Sequence, residues 1–170
     1  MRRQGMVLSV LSIGMSLFGG LWLSVAHADD QADIKALEQR YVTAVNAKDV
    51  KAIMACYVQD ESLLVFDVMP PRQYVGAKAY QKDWEALFAA YPGPAELEMS
   101  DLSVMIEGNL GYGHNIQRST LIDKGGKRTP LILRVSNGYR KINGKWLISH
   151  EHVSVPVDLA TGKAELTSKP

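Results

Sequence analysis

Gly144-Lys145-Trp146-Leu147-Ile148-Ser149-His150-Glu151-His152-Val153-Ser154-Val155-Pro156 reads as a single β-strand. The stretch is entered through Asn143-Gly144, two residues that tolerate positive φ and so favour a tight hairpin turn. It stops at Pro156, which has no amide hydrogen to give to a ladder. Between them the chain is rich in β-branched and aromatic residues. Side chains alternate along a strand, so Trp146, Ile148, His150, His152 and Ser154 are expected on one face. Leu147, Ser149, Glu151, Val153 and Val155 are expected on the other.

Working back from this strand, three more long segments alternate in the same way. Glu96 to Glu107 turns at Gly108-Asn109 into Leu110 to Ile122, and Asp123-Lys124-Gly125-Gly126 turns that into Thr129 to Ile142. Upstream the period changes. Ile34, Leu37, Tyr41, Val42 and Val45 recur every three or four residues and predict a helix over 33–46. Asp49 is placed to cap a second helix from Val50 to Tyr57. A third helix starts near Gly76 and carries Tyr80, Trp84, Leu87, Phe88 and Tyr91 along one side, until Pro92-Gly93-Pro94 ends it. A short strand from Ser62 to Val68 lies between the second and third helices, with Leu63, Val65 and Asp67 on one face. Three helices before an antiparallel meander predict an α+β domain: helices packed on one side of a strongly twisted antiparallel sheet, with an apolar mouth.

The chain has 170 residues and a formal net charge of +1, enough for one domain with a proper core. A charge so near zero, with scattered basic residues, argues against nucleic acid as a partner. Residues 1–28 read as a cleaved signal peptide: Arg2-Arg3, an apolar run from Met6 to Val25, and the small-residue site Ala26-His27-Ala28. An uncleaved anchor is the competing reading of that apolar run. The expected layout is a leader over 1–28, a domain over 29–158 and a flexible tail over 159–170. The mature protein is expected in the periplasm or outside the cell, with no membrane attachment after cleavage. The single cysteine, Cys56, cannot form an internal disulfide and reads as a buried, inert thiol.

With these segments in place the chain resembles the NTF2-like superfamily, in its SnoaL-like and ketosteroid-isomerase-like branch. The resemblance rests on Gln39-Arg40-Tyr41-Val42 with Ala44, Asn46-Ala47 and Asp49; on Asp60-Glu61 leading to the strand that ends at Asp67; and on Tyr74-Val75-Gly76. It rests also on Tyr139-Arg140-Lys141, Asn143-Gly144-Lys145-Trp146 and the final strand. It covers nearly all of the chain after the leader and implies a cone-shaped fold. It says less about activity, because this fold serves isomerases, cyclases, dehydratases and association domains alike.

The resemblance also suggests roles. In ketosteroid isomerases a tyrosine of the first helix donates to the developing enolate oxygen, and the motif match places that role on Tyr41. Core packing is the alternative for Tyr41. The isomerase base is an aspartate on the first strand. Its spacing lands here on Val65, with Asp67 two residues on and on the same face. Asp67 is then either a base of raised pKa or a strand-end residue bonding the Met69-Pro70 loop. The second oxyanion donor of the isomerases falls near Asn137.

His150 and His152 either line the cavity as donors or an acid/base pair, bind a metal with help from His114 and Asp67, or are satisfied structurally. The pocket wall is expected to hold Phe66, Tyr80, Trp84, Phe88, His114 and Arg134, the last a mid-strand arginine that needs a partner if buried. There is no phosphate loop, no Ser-His-Asp spacing and no strong metal signature. The expectation is cofactor-free proton transfer on a small apolar or carbonyl-containing molecule, in a homodimer. A non-catalytic association module is the alternative.

Overall fold

The structure is a computed structural model in which residues 21–169 are described, with side chains from 29 onward. Most of the expected leader lies outside the described residues. The backbone over 21–28 continues the first helix without a break. No helix among the described residues is long and apolar enough to cross a membrane.

Three helices come first or are interleaved with two short strands: α1 (Leu21–Asn46), α2 (Val50–Met54), β1 (Leu64–Phe66), β2 (Tyr74–Val75) and α3 (Ala77–Ala90). Four long strands follow: β3 (Glu96–Glu107), β4 (Leu110–Ile122), β5 (Arg128–Ile142) and β6 (Lys145–Ser154). The six strands form one sheet in the order β2-β1-β6-β5-β4-β3. All pairs are antiparallel except β1 and β6, which run parallel. The sheet is therefore mixed rather than wholly antiparallel: β2, α3 and the meander β3 to β5 intervene between β1 and its parallel partner β6.

The apolar stripe of α1 buries Ile34, Leu37, Tyr41, Ala44 and Val45 against the sheet. Its last residue, Asn46, donates to Leu97 O at 3.0 Å and accepts from Leu97 N at 2.7 Å, tying the helix end to β3. At the other end, Asp30 accepts from Trp146 Nε1 at 2.9 Å and pairs with Lys141 at 2.5 Å. Asp49 caps α2 through a bond from Ala52 N. Asn143 and Gly144 both have positive φ, as the tight turn into β6 requires.

The alternation of β6 does not run through unbroken. Tyr139 pairs with Ile148 and Gly138 with His150, so Ser149 is an extra residue, a β-bulge. Ser149 Oγ donates to Gly138 O at 3.1 Å. Trp146 and Ile148 face the core, and beyond the bulge it is Glu151, not the histidines, that is buried.

After Pro156 the chain does not trail away. Val157–Asp158 and Lys163–Ala164 form a small antiparallel hairpin, β7 and β8. Leu166 then returns to the main sheet, where its carbonyl accepts from Ile132 N at 2.7 Å. The segment expected to be flexible is held by main-chain bonds through Leu166.

Candidate functional site

A cavity of about 320 Å³ lies between α3, the second half of α1 and the inner face of the sheet. Its walls are mostly apolar: Trp84, Leu87 and Phe88 from α3, Leu131 and Leu133 from β5, Val153 and Val155 from the last strand and its extension. Leu166 of the returning tail closes part of the mouth. Tyrosines pack its inner end in edge-to-face contact, with Tyr57 at 6.1 Å from Tyr41 and 5.4 Å from Tyr80, ring centre to ring centre.

Two carboxyl groups, Glu151 and Asp67, reach this cavity from neighbouring strand positions. Glu151 is 1% exposed. Tyr57 donates to its Oε2 at 3.0 Å and Tyr80 to its Oε1 at 2.9 Å. Burial dominates over those two bonds, and with Asp67 and Glu38 nearby it pushes the Glu151 carboxyl up to about 8. Glu151 is therefore largely a neutral acid at neutral pH.

Asp67 closes β1 at the cavity rim. Its Oδ1 accepts from Val68 N at 2.5 Å and, at 3.4 Å, from Met69 N. So it both bonds the following loop and faces the cavity. Burial and the neighbouring Asp83 raise its pKa, and the two amides work against that rise. Asp83 also lines the cavity and accepts from the Tyr74 hydroxyl at 2.5 Å. Tyr41 is 4% exposed, lines the cavity, and sits against the Tyr57 hydroxyl. Burial pushes its hydroxyl well above the ordinary phenol range, and Glu151 and Glu38 add to the rise where they are ionised.

Of the residues expected at the site, Tyr41, Asp67, Tyr80, Trp84 and Phe88 meet in this cavity. The others do not. His150 and His152 lie on the outer face of the sheet, because the Ser149 bulge shifts the phase of β6 by one residue. Phe66 is outside with them, its ring edge-on to both at 5.3 and 5.8 Å. His150 Nδ1 lies 2.9 Å from Leu64 O, which is a structural contact. His114 and Arg134 are exposed on the same outer face, so Arg134 needs no buried partner. Asn137 does face inward, but it donates to Glu38 Oε1 at 2.8 Å beneath α1 and is not on the cavity wall. Among the described residues no group of three or more His, Cys, Asp or Glu is placed to hold a metal ion. Cys56 is buried, and burial pushes its thiol up to about 11, so it is unreactive.

Among the residues that the sequence reading of the site missed are Glu151 and Tyr57. Glu151 was assigned to the far face by unbroken alternation. Tyr57 read as one of several inward residues of a short helix. The sequence carries no clear signal for the first: Trp146, Leu147 and Ile148 are apolar in a row, so Val153 and Val155 fit either face.

The comparisons agree with this architecture. The SnoaL-like domain family matches residues 34–158. No match is found among curated proteins. An NTF2-like protein of unknown function from Pseudomonas putida is 31% identical, over 84% of this chain and 98% of that one, with a TM-score of 0.75. A scytalone dehydratase-like protein from Novosphingobium aromaticivorans is 12% identical, over 79% of this chain and 89% of that one, at TM-score 0.70. A ketosteroid isomerase-like protein from Erwinia carotovora is 22% identical, over 72% and 93%, at TM-score 0.62. The last two share the fold alone. The family match spans every element that builds the cavity wall up to Val155, and the chain belongs to the SnoaL-like domain family, with the NTF2-like fold.

Proposed function

We propose that this is an exported protein whose cavity binds a small, largely apolar carbonyl compound and moves a proton on it without a cofactor. The observation that carries this reading is the pair of carboxyl groups, Glu151 and Asp67, brought into one apolar cavity with unlike hydrogen-bond partners, phenols for the first and loop amides for the second. Glu151, sealed among tyrosines, keeps its proton and serves as the acid. Asp67 accepts from two loop amides at the rim, which favour its ionised form against the upward push of burial, and serves as the base. Tyr41 is a neutral phenol available to a developing enolate oxygen. Isomerisation, cyclisation and dehydration can each use an acid, a base and an oxyanion donor. Scytalone dehydratase-like and ketosteroid isomerase-like neighbours share the fold, which is compatible with the reading.

The test needs no knowledge of the natural substrate. Deuterium exchange at the α-carbon of α-tetralone in D₂O, followed by NMR, reports proton abstraction directly. The wild-type chain is expected to accelerate exchange. Asp67→Asn should lower it by a factor of about 100 or more, and His152→Ala should not change it. Equal rates in wild type and Asp67→Asn would remove Asp67 from the base role.

A second reading, a homodimeric association module, is favoured by one observation. Met105 and Tyr112 stand opposite each other on β3 and β4, on the outer face, and are 65% and 46% exposed. Such a patch suits a partner subunit.

A further inference from the structure

The charged groups of the cavity wall all have one sign. Asp67, Asp83 and Glu151 line it, and among the described residues no lysine, arginine or histidine does. Lys48 packs over the ring of Phe88, 5.0 Å from its centre, but its ammonium donates to Tyr91 O at 2.7 Å and Gly93 O at 3.0 Å. Among the described residues neither Asp67 nor Asp83 is in an ion pair. Asp83 has no part in the proposed proton transfer. It is anchored at the wall by the Tyr74 hydroxyl, whose ring packs against Tyr80 at 5.7 Å, centre to centre. The field of these acids reaches several elements. Burial is the main reason that the phenols of Tyr41, Tyr74 and Tyr80 lie above their ordinary range, and the Asp67 charge adds to the rise in all three. Burial likewise leads the rise at Asp67 itself, with the Asp83 charge next.

We propose that Asp83 is a specificity-determining residue: with Asp67 it gives the cavity a negative interior that rejects ligands bearing a carboxylate, phosphate or sulfate. The substrate class is therefore uncharged. This rests on the reading of the cavity as a small-molecule site and narrows its occupant. Rejection needs no direct contact, because charges in an apolar enclosure act on each other over several ångströms. A ligand anion would also meet donors already spent on the protein's own acids: Tyr57 and Tyr80 on Glu151, Tyr74 on Asp83, and the loop amides on Asp67. The same field does not oppose the proton transfer in this way. When Asp67 takes a proton from a neutral ligand, the negative charge passes to the ligand oxygen and the net charge of the cavity is unchanged.

The experiment compares two probes that differ in charge and hardly in shape, naphthalene-2-carboxamide and 2-naphthoate, by calorimetry on the full chain at pH 7. An apolar wall alone disfavours any ion, so the measure is how the ratio of the two Kd values responds to Asp83→Asn. That variant should bind 2-naphthoate roughly tenfold more tightly and the carboxamide about as before. Gained affinity cannot come from a damaged fold. Glu85→Gln removes the same charge from an exposed position of α3 outside the cavity and should leave the ratio unchanged. A third probe, 2-naphthylmethylammonium, needs no variant: wild type should bind it more tightly than 2-naphthoate, whereas a wall without net charge disfavours both ions alike. Equal Kd values for the two ions in wild type, an unchanged ratio in Asp83→Asn, or an equal response to Glu85→Gln overturns the charge assignment and leaves the cavity reading in place. Failure of wild type to bind the carboxamide or either ion overturns both. Rejection of 2-naphthoate through Asp83 without any α-proton exchange would uphold the specificity and remove the proposed proton transfer.

Discussion

Tyr80 donates to Oε1 of Glu151 at 2.9 Å, reaching it from α3 across the inner end of the cavity. Tyr57 occupies the other carboxyl oxygen, so both oxygens already accept a phenol when the group is ionised. Even so, the carboxyl stays protonated to about pH 8, because burial outweighs both bonds. The acid proton must then sit on a lone-pair direction that the phenols leave open.

That balance has a measurable sign. The Glu151 carboxyl has an ordinary pKa of 4.5 and titrates at about 8 in the folded chain. Between those values the folded chain holds more protons than the unfolded one, so stability falls as pH rises. The contribution is complete below the lower value and gone above the upper one. Asp67 and Glu38, both raised by burial, add slope of the same sign. Urea midpoints from pH 5 to 9 should fall in wild type, and Glu151→Gln should flatten the fall by on the order of a few kcal/mol. A slope unchanged by Glu151→Gln would show that this carboxyl is not the buried acid.

Gly113 makes room for the ring beneath α1. A methyl group there would stand 2.9 Å from Tyr139 Cε2 and from its hydroxyl, and 3.1 Å from Ser103 O. The Tyr139 hydroxyl donates to Glu38, so displacing the ring also disturbs a buried carboxyl. Gly113→Ala is expected to cost about 1–3 kcal/mol in a denaturant titration. A variant as stable as wild type would mean that the ring can shift without penalty.

The tail is part of the pocket. Leu166 lines the cavity, while its carbonyl holds the segment to β5. Leu166→Asp keeps the main-chain bond but places a charge against an apolar ligand. It should weaken α-tetralone binding by roughly tenfold with little change in Tm. Unaltered affinity would place the ligand away from the tail.

The outer face gives a prediction about assembly. If Met105 and Tyr112 pack against a second copy, native mass spectrometry should show a dimer for wild type. Met105→Lys combined with Tyr112→Glu should then give a folded monomer. A wild-type monomer would end the association reading.

How much of this was legible in the sequence depended on scale. Helix faces followed directly from apolar spacing: Tyr80, Trp84 and Phe88 predicted one side of α3, and that side lines the cavity. The turn at Asn143-Gly144 followed from its chemistry. What failed was parity. His150 and His152 were placed by strict alternation, and one bulged residue sends their side chains outward. Alternation is a local rule that a single inserted residue resets, so an error at Ser149 carried through to every position beyond it. Asn137 failed differently: the resemblance placed it at the second oxyanion position, but its side chain is taken up by Glu38, 99 positions away on another element. No local pattern marks that pairing.

The bulge has a meaning for how this strand can change over generations. Removing Ser149 would leave Ile148 inward, His150 outward and Glu151 inward under plain alternation, the same orientations that the bulge produces. Position 149 therefore acts as a slack link. The gene can lose one codon there without changing which side chains the ligand meets. An uncompensated codon gained between Glu151 and Val155 would exchange valines of the cavity wall for residues of the outer surface.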